Sequence, residues 1–114
     1  MGAGPFEVLV VEDDEDTRDV LVTVLRQHGL DASACSTGEQ ALALLRGHHF
    51  DAIVTDQMMP GITGLELVHR ARDLDSHLRC VVLSGYPAPR DVDVAWLRKP
   101  ISTDALFDTI LRSP

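Results

Sequence analysis

Hydrophobic positions along this chain switch repeatedly between two periods. Residues 6–11 form a near-continuous apolar run, as expected of a parallel strand covered on both faces. Over 16–28 the spacing becomes helical, with Val20, Leu21, Val24 and Leu25 on one stripe and Gly29 as the stop signal. Residues 31–35 read as a weak strand of small side chains that suits a sheet edge. Ser36 and Glu39 have capping-box spacing ahead of a helix carrying Ala41, Leu42 and Leu45, which ends at Gly47. A third strand covers 51–55. Thr63 and Glu66 then cap a helix bearing Leu67, Val68, Ala71 and Leu74. Residues 80–83 and 94–98 supply two more strands. Ser102 caps a last helix, and Ile101 and Leu106 have the spacing of a hydrophobic staple.

Strands alternating with helices through short links predict one α/β domain with a parallel sheet, and residues 1–114 are expected to hold it without repeat, linker or output domain. The alternation weakens once. Only fourteen residues separate Ser84 from Lys99, and Pro87 and Pro89 fall among them. A helix fitted between Pro89 and the strand at Val94 would have about one turn, at a rise of roughly 1.5 Å per residue. A loop or single turn is expected there, in place of a proper fourth helix.

Composition narrows the function classes. The apolar share of 45% is ordinary for a globular domain. No run approaches the roughly 20 apolar residues that cross a bilayer. The first residues lack the basic and long apolar parts of a signal peptide, and the Ser/Thr of a myristoylation signal is missing. A formal charge of −8 argues against sequence-independent binding to DNA or to anionic lipid. A cytoplasmic protein without nucleic-acid or membrane partners is expected, with Cys35 and Cys80 as buried, reduced thiols. The five histidines are scattered, and adjacent His48-His49 suits a turn before Phe50.

Four of the strand-like runs end on residues that handle phosphate or a cation: Glu12-Asp13, Asp56, Ser84 and Lys99. In an open parallel sheet, ligands bind just past the carboxyl ends of the strands. Three carboxylates gathered there repel one another unless a proton or cation relieves them. Mg²⁺, a hard cation that takes oxygen ligands and keeps several waters, fits best. Lys99 can pair with Asp56 or with a phosphate oxygen, and Ser84 adds a hydroxyl. These parts suffice to move a phosphoryl group onto a carboxylate, with Asp56 as nucleophile. Taken singly, each has a plainer reading: Asp56 as a turn or capping residue, Lys99 as a surface lysine, Ser84 as a turn serine, Trp96 as core.

The four motifs taken in order are more specific. Val8-Leu9-Val10-Val11-Glu12-Asp13-Asp14, Asp51-Ala52-Ile53-Val54-Thr55-Asp56-Gln57-Met58-Met59-Pro60-Gly61, Val82-Leu83-Ser84-Gly85-Tyr86 and Leu97-Arg98-Lys99-Pro100 closely resemble the receiver domain of two-component response regulators. The likeness covers nearly the whole chain, and the Ser-Gly-Tyr and Leu-Arg-Lys-Pro forms look most like receivers of hybrid sensor kinases. The resemblance implies a flavodoxin-like, doubly wound five-stranded sheet in the order 2-1-3-4-5. It makes Asp56 the phosphoacceptor for a phosphohistidine on a histidine kinase or histidine phosphotransfer domain. Asp13 would bind Mg²⁺ directly, Glu12 through a metal-bound water, and Met58 through its backbone carbonyl. Ser84 would move to the phosphoryl group and Lys99 would bridge to it. Trp96 holds the place of the switch aromatic, whose rotamer is coupled to Ser84. Lys99-Pro100 is expected to be cis. Gly64 matches a family glycine, read here as a position needing room at a helix start.

Two second-order expectations concern kinetics and output. The resemblance places Met58 and Tyr86 at the positions that flank the phosphoryl group in the family, and neither offers a carboxylate or amide to orient water. Slow autodephosphorylation follows. A reduced fourth helix also puts the family's usual dimer face in doubt, so a monomer or weak dimer is expected. The alternative is a pseudo-receiver, an interaction module that no longer responds to phosphorylation. A Mg²⁺-dependent phosphatase of another α/β family would want a second acid two positions after the nucleophile, where Met58 stands.

Overall fold

Five strands alternate with four helices over residues 5–112, the part of the chain described by the computed structural model. The order is β1 (Glu7–Val11), α1 (Glu15–Gln27), β2 (Asp31–Cys35), α2 (Gly38–Gly47), β3 (Ala52–Asp56), α3 (Gly64–Leu74), β4 (Arg79–Ser84), β5 (Ala95–Arg98) and α4 (Thr103–Arg112). All pairings are parallel, and the sheet runs β2-β1-β3-β4-β5.

The two-residue period of the strands sorts their side chains onto two faces. Val8, Val10, Val54, Val81 and Leu83 pack with Leu25 of α1 and with Leu106 and Ile110 of α4. Leu9, Val11, Ile53 and Val82 pack on the opposite face with Ala41 and Leu42 of α2 and with Leu67, Val68 and Ala71 of α3. Each fully buried Leu or Ile contributes about 1.5–3 kcal/mol. These two layers hold the sheet, and the polar residues at its carboxyl end are free for other work.

No helix forms between β4 and β5. The connection carries only a turn at Arg90 and Asp91, where Asp91 adopts φ 60. The two prolines and the short span leave no room for a helix. Val94 and Trp96 pack from the β5 side against the layer that also holds α3. Among the described residues no helix is long and apolar enough to cross a membrane.

Local details depart from the sequence expectations. The cap of α2 is Thr37, not Ser36: Thr37 Oγ1 accepts from Gln40 N at 3.1 Å. Ser36 instead donates to Gln40 Oε1 through both its backbone N–H and its hydroxyl. Helix α1 begins at Glu15, and Val20 is 61% exposed, with Leu21, Val22 and Leu25 facing the core instead. Leu74 is likewise exposed at the end of α3. Cys80 is buried, but Cys35 is only half-buried because β2 is an edge strand. Gly29, with φ 84, lies just past α1 as its stop signal requires.

Candidate functional site at the carboxyl ends of the strands

Strand register assembles the site. Val11 is level with Thr55, Asp56 with Leu83, and Ser84 with Arg98. The ladder continues past the strand ends: Glu12 N donates to Cys35 O, Gln57 N to Leu83 O, and Lys99 N to Ser84 O, at 3.1, 2.9 and 2.7 Å. Residues far apart in sequence therefore leave the sheet at one level.

Glu12, Asp13 and Asp56 each offer a carboxylate oxygen, and these oxygens lie within 4.8 Å of one another. Glu12 is 2% exposed and Asp56 is 8% exposed. Glu12 Oε1 accepts from Asp14 N at 3.1 Å, whereas its Oε2 is buried without a partner. Burial pushes the Glu12 carboxyl above the usual carboxylate range; the Asp14 N–H opposes this and the charge of Asp56 adds to it. Lys99 Nζ stands 2.9 Å from Asp56 Oδ1. Desolvation works against the Lys99 ammonium, but the hydrogen bond to Asp56 and the charges of Asp56, Glu12 and Asp13 outweigh it and raise its pKa. The Lys99–Pro100 peptide is cis.

The run of acids at the end of β1 divides its labour. Glu12 and Asp13 join the cluster, while Asp14 caps α1, accepting from Thr17 N at 2.9 Å and Thr17 Oγ1 at 2.6 Å. The Thr17 hydroxyl and then its N–H hold the Asp14 carboxyl below its ordinary value. Glu15 and Asp16 occupy the first turn, where the macrodipole favours negative charge. Arg18 Nη1 donates to Glu12 O at 3.2 Å and ties α1 to the acidic loop.

Ser84 is buried, and its Oγ accepts from Tyr86 N at 3.0 Å. The carbonyl of the same Tyr86 accepts from Trp96 Nε1 at 2.9 Å. The two residues expected to act as a switch are thus linked through one peptide segment. Met58 and Tyr86 expose 63% and 70% of their surface. On the other flank, a groove of 380 Å³ runs between Val20 and Leu21 of α1 and Lys99, Pro100 and Ile101.

Gly64 opens α3 against the loop that follows β3. A Cβ there would lie 2.5 Å from Asp56 O and 3.0 Å from Gln57 Cα, so the position needs glycine for the close approach. Sequence reasoning missed Arg18 and Gln57. Gln57 Oε1 accepts from Leu65 N at 2.9 Å, a partner eight residues on that no local motif signals.

The family described as response regulator receiver domain matches residues 8–110, and the chain belongs to it. A response regulator receiver protein of Anaeromyxobacter sp. is 34% identical over 107 residues, covering 88% of this chain and 45% of that protein. The virulence sensor protein BvgS of Bordetella pertussis is 39% identical over 116 residues, covering 89% of this chain and 9% of that protein. The chain thus spans less than half the length of either relative. Among solved structures, the response regulator TrrA of Thermotoga maritima, in complex with Mg²⁺–BeF, superimposes with a TM-score of 0.84 at 27% identity, covering 93% of this chain and 96% of that one.

Proposed function

We propose that this receiver domain accepts a phosphoryl group on Asp56 from the phosphohistidine of a histidine kinase or phosphotransfer domain. The single observation that carries the reading is the acid cluster with its ion pair: three converging carboxylates, with Lys99 Nζ 2.9 Å from Asp56.

The donor set fits Mg²⁺. Oxygen ligands alone suit a hard cation, and the buried, unpartnered Glu12 Oε2 calls for a positive charge or a proton. Asp13 and Asp56, the Met58 carbonyl and, through water, Glu12 would hold the ion. When bound, it would neutralise charge on the transferring group's oxygens. TrrA, with its Mg²⁺–BeF complex, supports the same assignment by likeness.

The chain's own residues do the rest. Asp56 Oδ attacks phosphorus as the P–N bond to the donor imidazole breaks, and the imidazole leaves with its electron pair. Lys99 orients the carboxylate beforehand and pairs with a phosphoryl oxygen afterwards. Ser84 gives up the Tyr86 N–H to turn its hydroxyl toward the new group. That movement strains the Tyr86 segment and, through its carbonyl, the Trp96 indole. The added charge of about −1.5 to −2 beside Glu12 and Asp13 drives the switch. The exposed Val20 and the groove ending at Lys99–Ile101 would give the donor an apolar footing beside Lys99, the partner of Asp56.

The turn in place of a helix between β4 and β5 favours a second reading, an interaction module without a phosphorylation response. Phosphotransfer from a labelled histidine phosphotransfer domain, run beside Asp56→Asn, separates the two. Label on the unsubstituted chain alone supports the phosphoacceptor; label on neither, across a panel of donors, supports the module.

A further inference from the structure

Gln57 sits between the acceptor Asp56 and Met58, and its bonds reach well beyond that strand end. Its backbone N–H donates to Leu83 O of β4 at 2.9 Å. Its backbone carbonyl accepts from Gly64 N at 3.0 Å, and its side-chain Oε1 accepts from Leu65 N at 2.9 Å. One residue thus pins the end of β3 to β4 on one side and to the start of α3 on the other.

The first N–H groups of a helix lack partners within it. In α3 they are divided between two residues. Glu66 N donates to Thr63 Oγ1, and Thr63 N to Glu66 Oε1, in a capping box. Gly64 N and Leu65 N both go to Gln57. The box is confined to residues 63–66 and satisfies Glu66 N alone among the first three N–H groups of the helix. The Gln57 contacts span the loop instead, and the missing Cβ of Gly64 lets helix and loop close on each other.

We propose that Gln57 is a positioning residue: its amide holds the β3–α3 connection so that the Asp56–Met58 stretch is set for the metal before Mg²⁺ arrives. This rests on the phosphoacceptor reading above. A partner hydrogen-bonded to a metal ligand commonly changes affinity by roughly 10–100-fold when removed; Gln57 acts on Asp56 and Met58 through the backbone, which places its effect at the lower end. Preorganisation is the reason: with the amide gone, the loop has to be ordered at the expense of binding.

The test is calorimetric titration with Mg²⁺ alone of the unsubstituted chain, Gln57→Met and Thr63→Ala, each checked for fold by circular dichroism and melting. Gln57→Met keeps the bulk and loses the acceptor. Thr63→Ala weakens the same helix terminus without touching residues 56–58. Gln57→Asn, whose amide stops a methylene short of Leu65 N, stands in if the methionine variant fails to fold. The expected result is Mg²⁺ affinity at least about tenfold weaker for the Gln57 variant and unchanged for Thr63→Ala. Equal affinities, or equal losses in both variants, would reduce Gln57 to a helix cap and overturn the proposal. Absence of Mg²⁺ binding to the unsubstituted chain would overturn the phosphoacceptor reading, and this inference with it.

Discussion

Lys99 Nζ lies 2.9 Å from Asp56 Oδ1, although the two residues close strands β5 and β3, which are separated by β4. The lysine reaches across the end of the intervening strand, where Ser84 is the last residue. Carboxylate and ammonium therefore meet through sheet order rather than chain proximity.

Replacing that cation should separate three effects. Lys99→Met removes the ammonium and leaves Asp56 unpaired in a site it shares with two other acids. Lys99 is partly exposed, so the loss in metal-free stability should be modest, about 1–2 kcal/mol. Phosphorylation should slow by roughly 10²–10³-fold, as for other losses of an electrostatic stabiliser. Mg²⁺ should bind more tightly, because a competing positive charge is gone. Stopped-flow phosphorylation and Mg²⁺ titration of the variant check all three signs together.

Persistence of the phosphoryl group depends on what can orient an attacking water. Met58 lies two residues after Asp56 and Tyr86 two after Ser84, and both are largely exposed. Neither carries a carboxylate or amide for that purpose. Phospho-Asp56 should be long-lived in Mg²⁺ buffer, and Met58→Asn should shorten its life. Decay of the unsubstituted phosphoprotein within seconds would contradict the expectation.

Much of this arrangement can be read in the chain before any coordinates. Strands covered on both faces announce themselves as unbroken apolar runs, and three of them end on the acids and the serine of the site. Phase within α1 is harder. Residues 20–25 are so uniformly apolar that the pattern does not say whether Val20 or Val22 faces inward, and Val22 does. At α2 the capping-box spacing of Ser36 with Glu39 points one residue early: Thr37 caps the helix through Gln40 N, and Ser36 bonds the Gln40 side chain instead. Gln57 and Arg18 were not legible because their partners are fixed by tertiary approach, not by spacing.

Gly64 provides a stability test independent of phosphate chemistry. Its absent Cβ faces backbone atoms of Asp56 and Gln57, which cannot step aside as a flexible side chain would. Gly64→Ala should cost about 1–3 kcal/mol despite the better helix propensity of alanine. Thermal melts of the two proteins check this; an unchanged or raised melting temperature would show that the loop has slack.

The two thiols give a pH-dependent readout. Burial pushes both Cys35 and Cys80 up to about 11 from an ordinary 9.0. Their protonated forms are thus favoured by the fold. The corresponding stability is present below pH 9.0 and is lost as pH rises toward about 11. Near neutral pH native alkylation should be slow at both, slowest at buried Cys80, and should accelerate on denaturation. Mass-resolved iodoacetamide kinetics from pH 7 upward measure it, and fast native labelling of Cys80 at pH 7 would contradict the packing of β4.

In the proposed function, Asp56 gains a phosphoryl group with help from a cation held by its acidic neighbours. Intact-mass spectrometry after incubation with a small acyl phosphate or phosphoramidate tests this most directly. A single phosphoryl adduct is expected on the unsubstituted chain with Mg²⁺, lost with chelator and absent from Asp56→Asn. No adduct under any condition, or an adduct that persists in Asp56→Asn, would contradict it.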